Sequence, residues 1–471
     1  MRIQAAEFVD PPVRSDRKKT WVIQKMRQLA VCFLALFLAP GASSAEPSRP
    51  NIIYILADDL GPGDIGCCGG KIARTPNIDR LATEGIKFNQ FYVASPVCSP
   101  SRCGLITGQF PARWQITSYL AERKRNRGAE MVDFLDPQAP SLPRALHEAG
   151  YRTAHFGKWH LGGGRDVTDA PKFAAYGYDE HASTYESPEP DPDITASNWI
   201  WSDKDKFKRW QRTQFFVDKT LDFLARNKDK PCFVNLWLDD VHSPWIPNAE
   251  VEKEKDRNVL KNLKPVISEM DKQIGRMMAG LKRLGIDDDT LVIFSSDNGP
   301  YPHLAGRTNN LRGCKFSLYE GGLLLPFIVR WPGVAPVGAT DDETVIGAVD
   351  VFPTLCSIAG AMLPKDVALD GVDQTAAFKG EPQPERSKPL FWEYGRNEKF
   401  FGYPKLPGDR SPQLAIRDGR WKLLVNADGE EAELYDLTVS PNETNNVIAD
   451  HPKEAARLKK AAMDWRQSIP Q

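Results

Sequence analysis

From Asn51 onward, short apolar runs bounded by turn residues alternate with longer stretches whose apolar residues recur every three or four positions. No other feature constrains the fold as much. An apolar run without polar alternation needs cover on both faces, and intervening helices supply it in a sheet built from βαβ units. Asn51 to Ala57 reads as the first strand. Thr75 and Pro76 give an N-cap and a first-turn proline to a helix that presents Ile78, Leu81 and Ala82 on one side and stops at Gly85. Ser141 caps a second helix through Ala149, Gly150 ends it, and Tyr151 to Phe156 follows as a strand. Phe207 to Asn227 is a helix before the strand Cys232 to Leu238, and Pro265 to Leu284 is a helix before the strand Thr290 to Ser295.

Two stretches break this rhythm. Arg123 to Arg127 is basic and loop-like, and Ser187 to Asp193 (SPEPDPD) is an acidic, proline-rich loop; both read first as solvated surface. After Pro382 to Pro389 the pattern changes to short strands, Leu414 to Arg417, Lys422 to Val425 and Ala432 to Leu437, separated by Asp418-Gly419 and Asp428-Gly429 turns. An amphipathic helix from about His451 to Arg466 closes the chain. The expected division is a catalytic α/β domain over 48–385 and an antiparallel-sheet-plus-helix α+β subdomain over 386–471. With 41% hydrophobic residues in 471, there is material for a large core, which excludes a disulfide-stapled miniprotein and a disordered chain. The 61 Lys and Arg balance 62 Asp and Glu, so no global field favours nucleic acid, and any bound anion must be held by local charges.

Near the N-terminus, Lys25 and Arg27 precede the apolar run Leu29 to Ala39, and small residues follow from Gly41 to Ala45. That order reads as a secretory signal over residues 1–45, with a start at Met26 as the alternative. Its removal takes away seven basic and three acidic residues and leaves a mildly acidic mature chain. No later apolar run reaches membrane-spanning length, so a soluble exported protein, periplasmic or extracellular, is expected. Of eight cysteines, Cys32 leaves with the signal. The remaining seven are an odd number, so at least one thiol in the exported chain is unpaired or chemically altered.

The reactive residues fall at informative places. Asp58-Asp59, Lys158 and His160, His242, and Asp297-Asn298 each lie just beyond a predicted strand, at the carboxyl edge where an open α/β sheet forms its ligand crevice. The groups are complementary. Carboxylates and an amide suit a hard cation, and Lys with His suits an anion. Ser99-Pro100 is a plausible helix start that sets Cys98 at the positive end of a short helix, with Arg102 one turn along; a thiol there could be an activated nucleophile.

CSPSR at Cys98 to Arg102, followed by Cys103 to Gly108 (CGLITG), resembles the signature of the type I sulfatases, in which this cysteine is oxidised to formylglycine. The resemblance runs in the family's order from Asn51 to about Gly333: NIIYILADDLG, TPNIDRLATEG, CSPSRCGLITG, GYRTAHFGKWHLG, the VHSPW segment, FSSDNG, LRGCKFSLYEGG and PFIVRWPG. Cys314 departs from the glycine usual before the lysine. The resemblance implies the alkaline phosphatase superfamily (sulfatase) fold. It also implies that Asp58, Asp59, Asp297 and Asn298 bind a divalent cation, Ca²⁺ in most members, one per chain.

Cys98, as formylglycine, would be hydrated to a diol whose one hydroxyl attacks sulfur, with Arg102 holding the diol and the ion site. Lys158 and Lys315 would bind sulfate oxygens. His242 would protonate the leaving alcohol, and His160 would take a proton from the second hydroxyl so that sulfate is expelled. His303 and Arg396 are further substrate-contact candidates, and Trp199 and Trp201 are candidates for stacking on a sugar ring. The chain from Leu390 through Pro441 looks like that of secreted bacterial enzymes of the arylsulfatase A and N-acetylgalactosamine-6-sulfatase type, which implies a sulfated carbohydrate substrate. A formylglycine-generating or sulfatase-maturating enzyme is an implied partner. The rival readings are a phosphomonoester or phosphonate hydrolase of the same superfamily and a catalytically silent sulfated-glycan binding protein.

Overall fold

The computed structural model describes residues 49–194 and 204–470; the expected export signal, Cys32, Trp199 and Trp201 lie outside them. At the centre is β1 (Asn51–Ala57), paired in parallel with β5 (Cys232–Leu238) on one side and β6 (Thr290–Ser296) on the other. Beyond β5 stands β3 (Arg152–Gly157), also parallel, followed by β4 (Glu180–Ser183). Four adjacent strands, β3-β5-β1-β6, therefore present their carboxyl ends along one edge. The other half of the sheet is mixed. There β7 (Leu324–Arg330) runs antiparallel to β6 and to β2 (Ile86–Tyr92), while β8 (Ala339–Asp341) and β9 (Ile346–Gly347) pair with β2 in parallel. The rhythm of the sequence does not reveal β2, because Asn89 and Gln90 interrupt its apolar pattern where the register with β7 shifts.

Both faces of the sheet are dry, as runs without alternation require. Along β1, Ile52, Tyr54 and Leu56 enter one core, and Ile53, Ile55 and Ala57 enter the other. The second core is roofed by the helices Pro76–Thr83, Arg212–Arg226 and Leu260–Leu284 through residues such as Ile78, Phe216, Ile267 and Ile274. Each such side chain contributes roughly 1.5–3 kcal/mol by leaving water. The first core is covered by the helices Cys98–Thr107, Leu142–Glu148 and Val351–Ala359 and by the C-terminal elements.

Three predicted elements differ from their reading. Arg123 to Gly128 is a short helix rather than a loop. Its buried Asn126 accepts from the Ala121 amide and donates to the Ala121 carbonyl and to Asp133, which anchors a segment whose charges alone read as solvated. The helix expected from Pro265 begins at Leu260, so the proline sits inside its second turn instead of opening it. The helix expected from Phe207 begins at Arg212 after a 3₁₀ turn, and Phe207 packs against Phe215 with ring centroids 4.8 Å apart. Ser187 to Asp193 contains neither helix nor strand.

The C-terminal sheet is antiparallel in the order β10 (Leu390–Glu393), β11 (Leu414–Asp418), β12 (Trp421–Val425) and β13 (Glu433–Asp436), and the helix Pro452–Ser468 lies against it, with Trp465 stacked on Phe391 at 5.1 Å. It joins the large sheet through a donation from Trp392 Nε1 to the Val93 carbonyl (2.7 Å) and through buried Lys422, which bridges Glu320 (2.7 Å) and Glu443 (2.9 Å). Among the described residues, no helix is long and apolar enough to cross a membrane.

Candidate active site

Each strand of the parallel quartet hands its polar residues to the same edge. Asp58 and Asp59 follow β1, Lys158 and His160 follow β3, His242 lies four residues beyond β5, and Asp297 and Asn298 follow β6. Backbone bonds between the strand ends lock these turns together: the Asp58 amide donates to the Leu238 carbonyl (3.1 Å) and the Asp297 amide to the Ala57 carbonyl (3.1 Å). Asp59 and His160 hold left-handed φ values of 60° and 57°, strained for residues other than glycine and held by this lattice of contacts.

Cys98 is the first residue of the helix Cys98–Thr107, every residue of which is buried. Its sulfur lies within 4.8 Å of carboxylate oxygens of Asp58 and Asp297, and a second group within the same limit joins Asp58, Asp59 and His242. Arg102, one turn along, donates from Nε (3.0 Å) and from a terminal nitrogen (2.7 Å) to Asp297 Oδ2 and from the other to the Lys158 carbonyl (2.6 Å), while its guanidinium lies 5.2 Å from the Trp237 ring. Lys158 Nζ lies 2.6 Å from Asp58 Oδ2, and Lys315 Nζ lies 2.6 Å from Asp59 Oδ1. Three carboxylates thus meet three fixed cations, all buried.

The electrostatics follow from that crowding. Burial pushes Asp58 up, but Lys158, His242, Arg102 and Lys315 together hold it well below the usual carboxylate range. Asp297 is pushed up to about 6 by burial and by Asp58, against Arg102. Burial lowers His242 to about 4, Lys315 and Lys158 reinforcing it and Asp59 opposing it, and burial lowers His160 to about 3 against the pull of Glu186. Burial raises the Cys98 thiol, with Lys158 and Lys315 opposing.

The two histidines are held in opposite tautomers. His242 Nδ1 faces the Ser243 carbonyl at 2.7 Å, so in the neutral ring that nitrogen carries the proton and Nε2, 3.8 Å from Asp59 Oδ2, is the acceptor. His160 is the reverse: Nε2 faces the Leu120 carbonyl at 3.0 Å, leaving Nδ1 buried and without a hydrogen bond.

Asp58 Oδ1, Asp59 Oδ2 and Asn298 Oδ1 are also buried without a hydrogen-bond partner. Each belongs to a side chain whose other polar atom is already engaged, by Lys158, by Lys315 and Asn298, or by Asp59 and the Gly299 carbonyl. Three convergent orphan oxygens, with Asp297 beside them, form the all-oxygen donor set of a hard cation, so the residues present fit one.

His303 and Arg396 are not brought to this group. His303 Nδ1 is 2.7 Å from Asp409 Oδ2, in a separate cluster with Cys314. Arg396 is buried in an ion pair with Glu393 (2.9 Å), which also holds Arg466.

Sequence reasoning passed over Glu186 and Arg209. Glu186 stands 3.4 Å from His160 Nε2 and 2.9 Å from Arg165. Arg209, buried, donates to Asp239 and to the His242 carbonyl (3.0 Å) and so fixes the turn that carries His242. Glu186 stands in no motif or periodic segment and Arg209 lies in a helical segment with no motif of its own, and only the folded chain brings them near the site.

Residues 50–361 match the Sulfatase family, and residues 314–467 match the C-terminal region of N-sulphoglucosamine sulphohydrolase. An N-acetylgalactosamine-6-O-sulfatase of Bacteroides thetaiotaomicron is 29% identical over 87% of this chain and 92% of its own, and the pig N-acetylgalactosamine-6-sulfatase is 32% identical over 77% and 72%. A sulfatase structure from work on glycosaminoglycan metabolism by Bacteroides thetaiotaomicron superposes with a TM-score of 0.71 at 26% identity, covering 89% of this chain and all of the other. The fold is shared more widely: a phosphonate monoester hydrolase of Agrobacterium radiobacter, 22% identical, superposes with a TM-score of 0.61 over 88% and 94%. The chain belongs to the sulfatase family, enzymes that hydrolyse sulfate esters.

Proposed function

We propose that this enzyme removes sulfate from a sulfated carbohydrate, with Cys98 matured to formylglycine by a formylglycine-generating or sulfatase-maturating partner. The observation that carries the reading is the convergence of Cys98, at the start of a buried helix, with Asp58 and Asp297 within 4.8 Å and with Arg102, Lys158 and Lys315 around them. The names of the relatives support the sugar. In this proposal residues 1–45 direct export to the periplasm or the exterior, 48–385 form the catalytic domain, and 386–471 are appended to it.

The matured, hydrated Cys98 side chain supplies the nucleophilic hydroxyl. A divalent cation, Ca²⁺ in this reading, supplies positive charge that acidifies this hydroxyl and neutralises sulfate oxygens when it is held by Asp58, Asp59, Asp297 and Asn298. Lys158 and Lys315 bind the remaining sulfate oxygens and stabilise the charge that grows on them. Arg102 fixes Asp297 and the start of the helix. His242, which places Nε2 toward the carboxylates, donates from that nitrogen to the departing alcohol in its protonated, imidazolium form and is left as the neutral Nδ1–H ring. His160, with Nδ1 free to accept, takes the proton whose removal lets sulfate leave. The Ser243 and Leu120 carbonyls leave the working nitrogen of each neutral ring unprotonated, so His160 acts as base directly and His242 acts as acid only after Nε2 has taken up a proton.

The test is sulfate release from defined sulfated mono- and oligosaccharides, alongside an aryl sulfate and the matching aryl phosphate, by enzyme from a host able to make formylglycine. Turnover of a sugar sulfate with the aryl sulfate preferred to the phosphate is expected, and Cys98→Ala should abolish it while remaining folded. A preference for phosphate would support the second reading, a phosphoryl or phosphonate hydrolase, which the Agrobacterium fold match favours. Tight glycan binding without turnover by the matured protein would favour the silent binding protein.

A further inference from the structure

A second group of metal-ligating side chains stands apart from the carboxylate cluster. His303, on the loop after β6, Cys314, in the loop before Lys315, and Asp409, in the turn Pro407–Asp409, bring one ligand atom each within 4.8 Å of one another. They come from three separated segments, and their chemistry differs from that of the oxygen site: a sulfur, an imidazole nitrogen and a single carboxylate. We propose that His303, Cys314 and Asp409 form a binding site for a thiophilic divalent cation of the zinc type, distinct from the oxygen-ligand site.

Several observations support the assignment. His303 Nδ1 and Asp409 Oδ2 already face each other at 2.7 Å, and Asp409 Oδ1 is steadied by the Gly313 amide at 3.3 Å, so the carboxylate is oriented toward the imidazole from the start. Cys314 is 1% exposed and Asp409 8%, whereas the His303 side chain is 26% exposed, which leaves one side of the group open for a water ligand and for the ion to arrive. Ligands of a tetrahedral zinc ion lie about 3.5 Å apart, so the His303–Asp409 pair at 2.7 Å opens by somewhat less than about 1 Å while Cys314, within 4.8 Å of both, draws in by no more than about 1.3 Å.

The neighbouring cations do not repel an incoming ion at full strength. Arg307 is paired with Asp64 at 2.7 Å, and Lys315 with Asp59 at 2.6 Å. Thiolate and imidazole select zinc or cobalt over calcium, because soft donors hold hard cations poorly. Binding breaks the Cys314 S–H bond, forms a sulfur–metal bond and releases the proton to water. Its structural effect would be to clamp the loop that carries Lys315 to the Pro407–Asp409 turn, which Arg312 already touches through the Gly408 carbonyl at 3.0 Å.

The experiment uses the full mature chain carrying Cys98→Ala, Cys67→Ser and Cys68→Ser, so that the thiol beside Asp58 and Asp297 and the pair beside Asp79 are gone, with Ca²⁺ present throughout. One equivalent of Co²⁺ should produce a near-ultraviolet thiolate-to-metal charge-transfer band that Zn²⁺ then bleaches, and equilibrium dialysis should find one zinc per chain. Adding Cys314→Ser should remove the band, and adding His303→Ala should weaken Co²⁺ affinity at least tenfold. No band in the parent overturns the site, and so does a band that survives Cys314→Ser, since its sulfur would then be elsewhere. Should Cys314→Ser fail to fold, unchanged Co²⁺ affinity in the half-exposed His303→Ala variant is equally fatal.

Discussion

At the scale of single residues, the site is a set of charges that balance only as a group. Asp297 illustrates this. Its carboxylate accepts two bonds from Arg102, and burial among Asp58 and Asp59 pushes it up to about 6. Replacement by Ala removes a proposed ligand and takes the main partner from the Arg102 guanidinium, so metal occupancy measured by atomic absorption and turnover should both fall, by about tenfold or more, with excess Ca²⁺ restoring part of each. For His242 the prediction depends on the leaving group. In the proposed mechanism a sugar alkoxide needs the proton that Nε2 would deliver, and a nitrophenolate does not, so His242→Ala should lower sugar-sulfate turnover by about 10²–10⁴-fold and aryl-sulfate turnover far less. Equal losses on the two substrates would remove His242 from the role of acid. Because the free enzyme holds His242 near 4, its protonated form becomes scarcer at each step above that pH. The sugar-sulfate kcat/KM should therefore rise toward acidic pH in the wild type and lose that rise in the variant.

At the scale of elements, the carboxyl end of β3 has no room for a side chain. Gly157 closes that strand at φ 123°, and a Cβ there would stand 1.8 Å from the Trp237 carbonyl oxygen of the neighbouring β5. Neither strand can retreat, since each is paired on both sides. Gly157→Ala should therefore cost about 3 kcal/mol or more in stability. It should also displace Lys158 and His160 immediately after it, so that turnover falls even in the fraction that remains folded. A urea-unfolding midpoint and activity indistinguishable from wild type would contradict that account. The helix Cys98–Thr107 meets a similar demand at its other end, where Gly108 takes the left-handed cap at φ 64° and its carbonyl receives the Asp370 and Gly371 amides.

At the scale of the whole molecule, the dry sheet has an acid liability. His155, lodged among Phe173, Trp159, Tyr178 and Trp237, is held well below its ordinary value by burial, and His160 and His242 are lowered to about 3 and about 4. Below about pH 6.5 each of these histidines takes up a proton in the unfolded chain that the folded chain refuses and so lowers stability as pH drops, whereas Asp297, Asp240 and Glu443, raised by burial to about 6, about 7 and about 7, protonate first in the folded chain and act the other way. His155→Phe, which keeps the aromatic packing and removes one lowered group, should therefore show a urea midpoint that, relative to its own value at pH 7, is higher at pH 4 than the wild type's.

The sequence by itself determined the sheet's central strands, the edge on which Asp58, Lys158, His242 and Asp297 emerge, and the chemistry of those groups, because apolar runs need two-sided cover and polar residues just past them have one edge to occupy. Only the tertiary structure decided which tautomer each histidine holds, that Arg396 serves Glu393, that Arg209 braces the His242 turn, that Arg123 to Gly128 is a helix, and that Cys314 meets His303 and Asp409. These are contacts between residues far apart in the chain, or capping bonds made by one buried side chain, and no local periodicity encodes a partner that packing alone brings near.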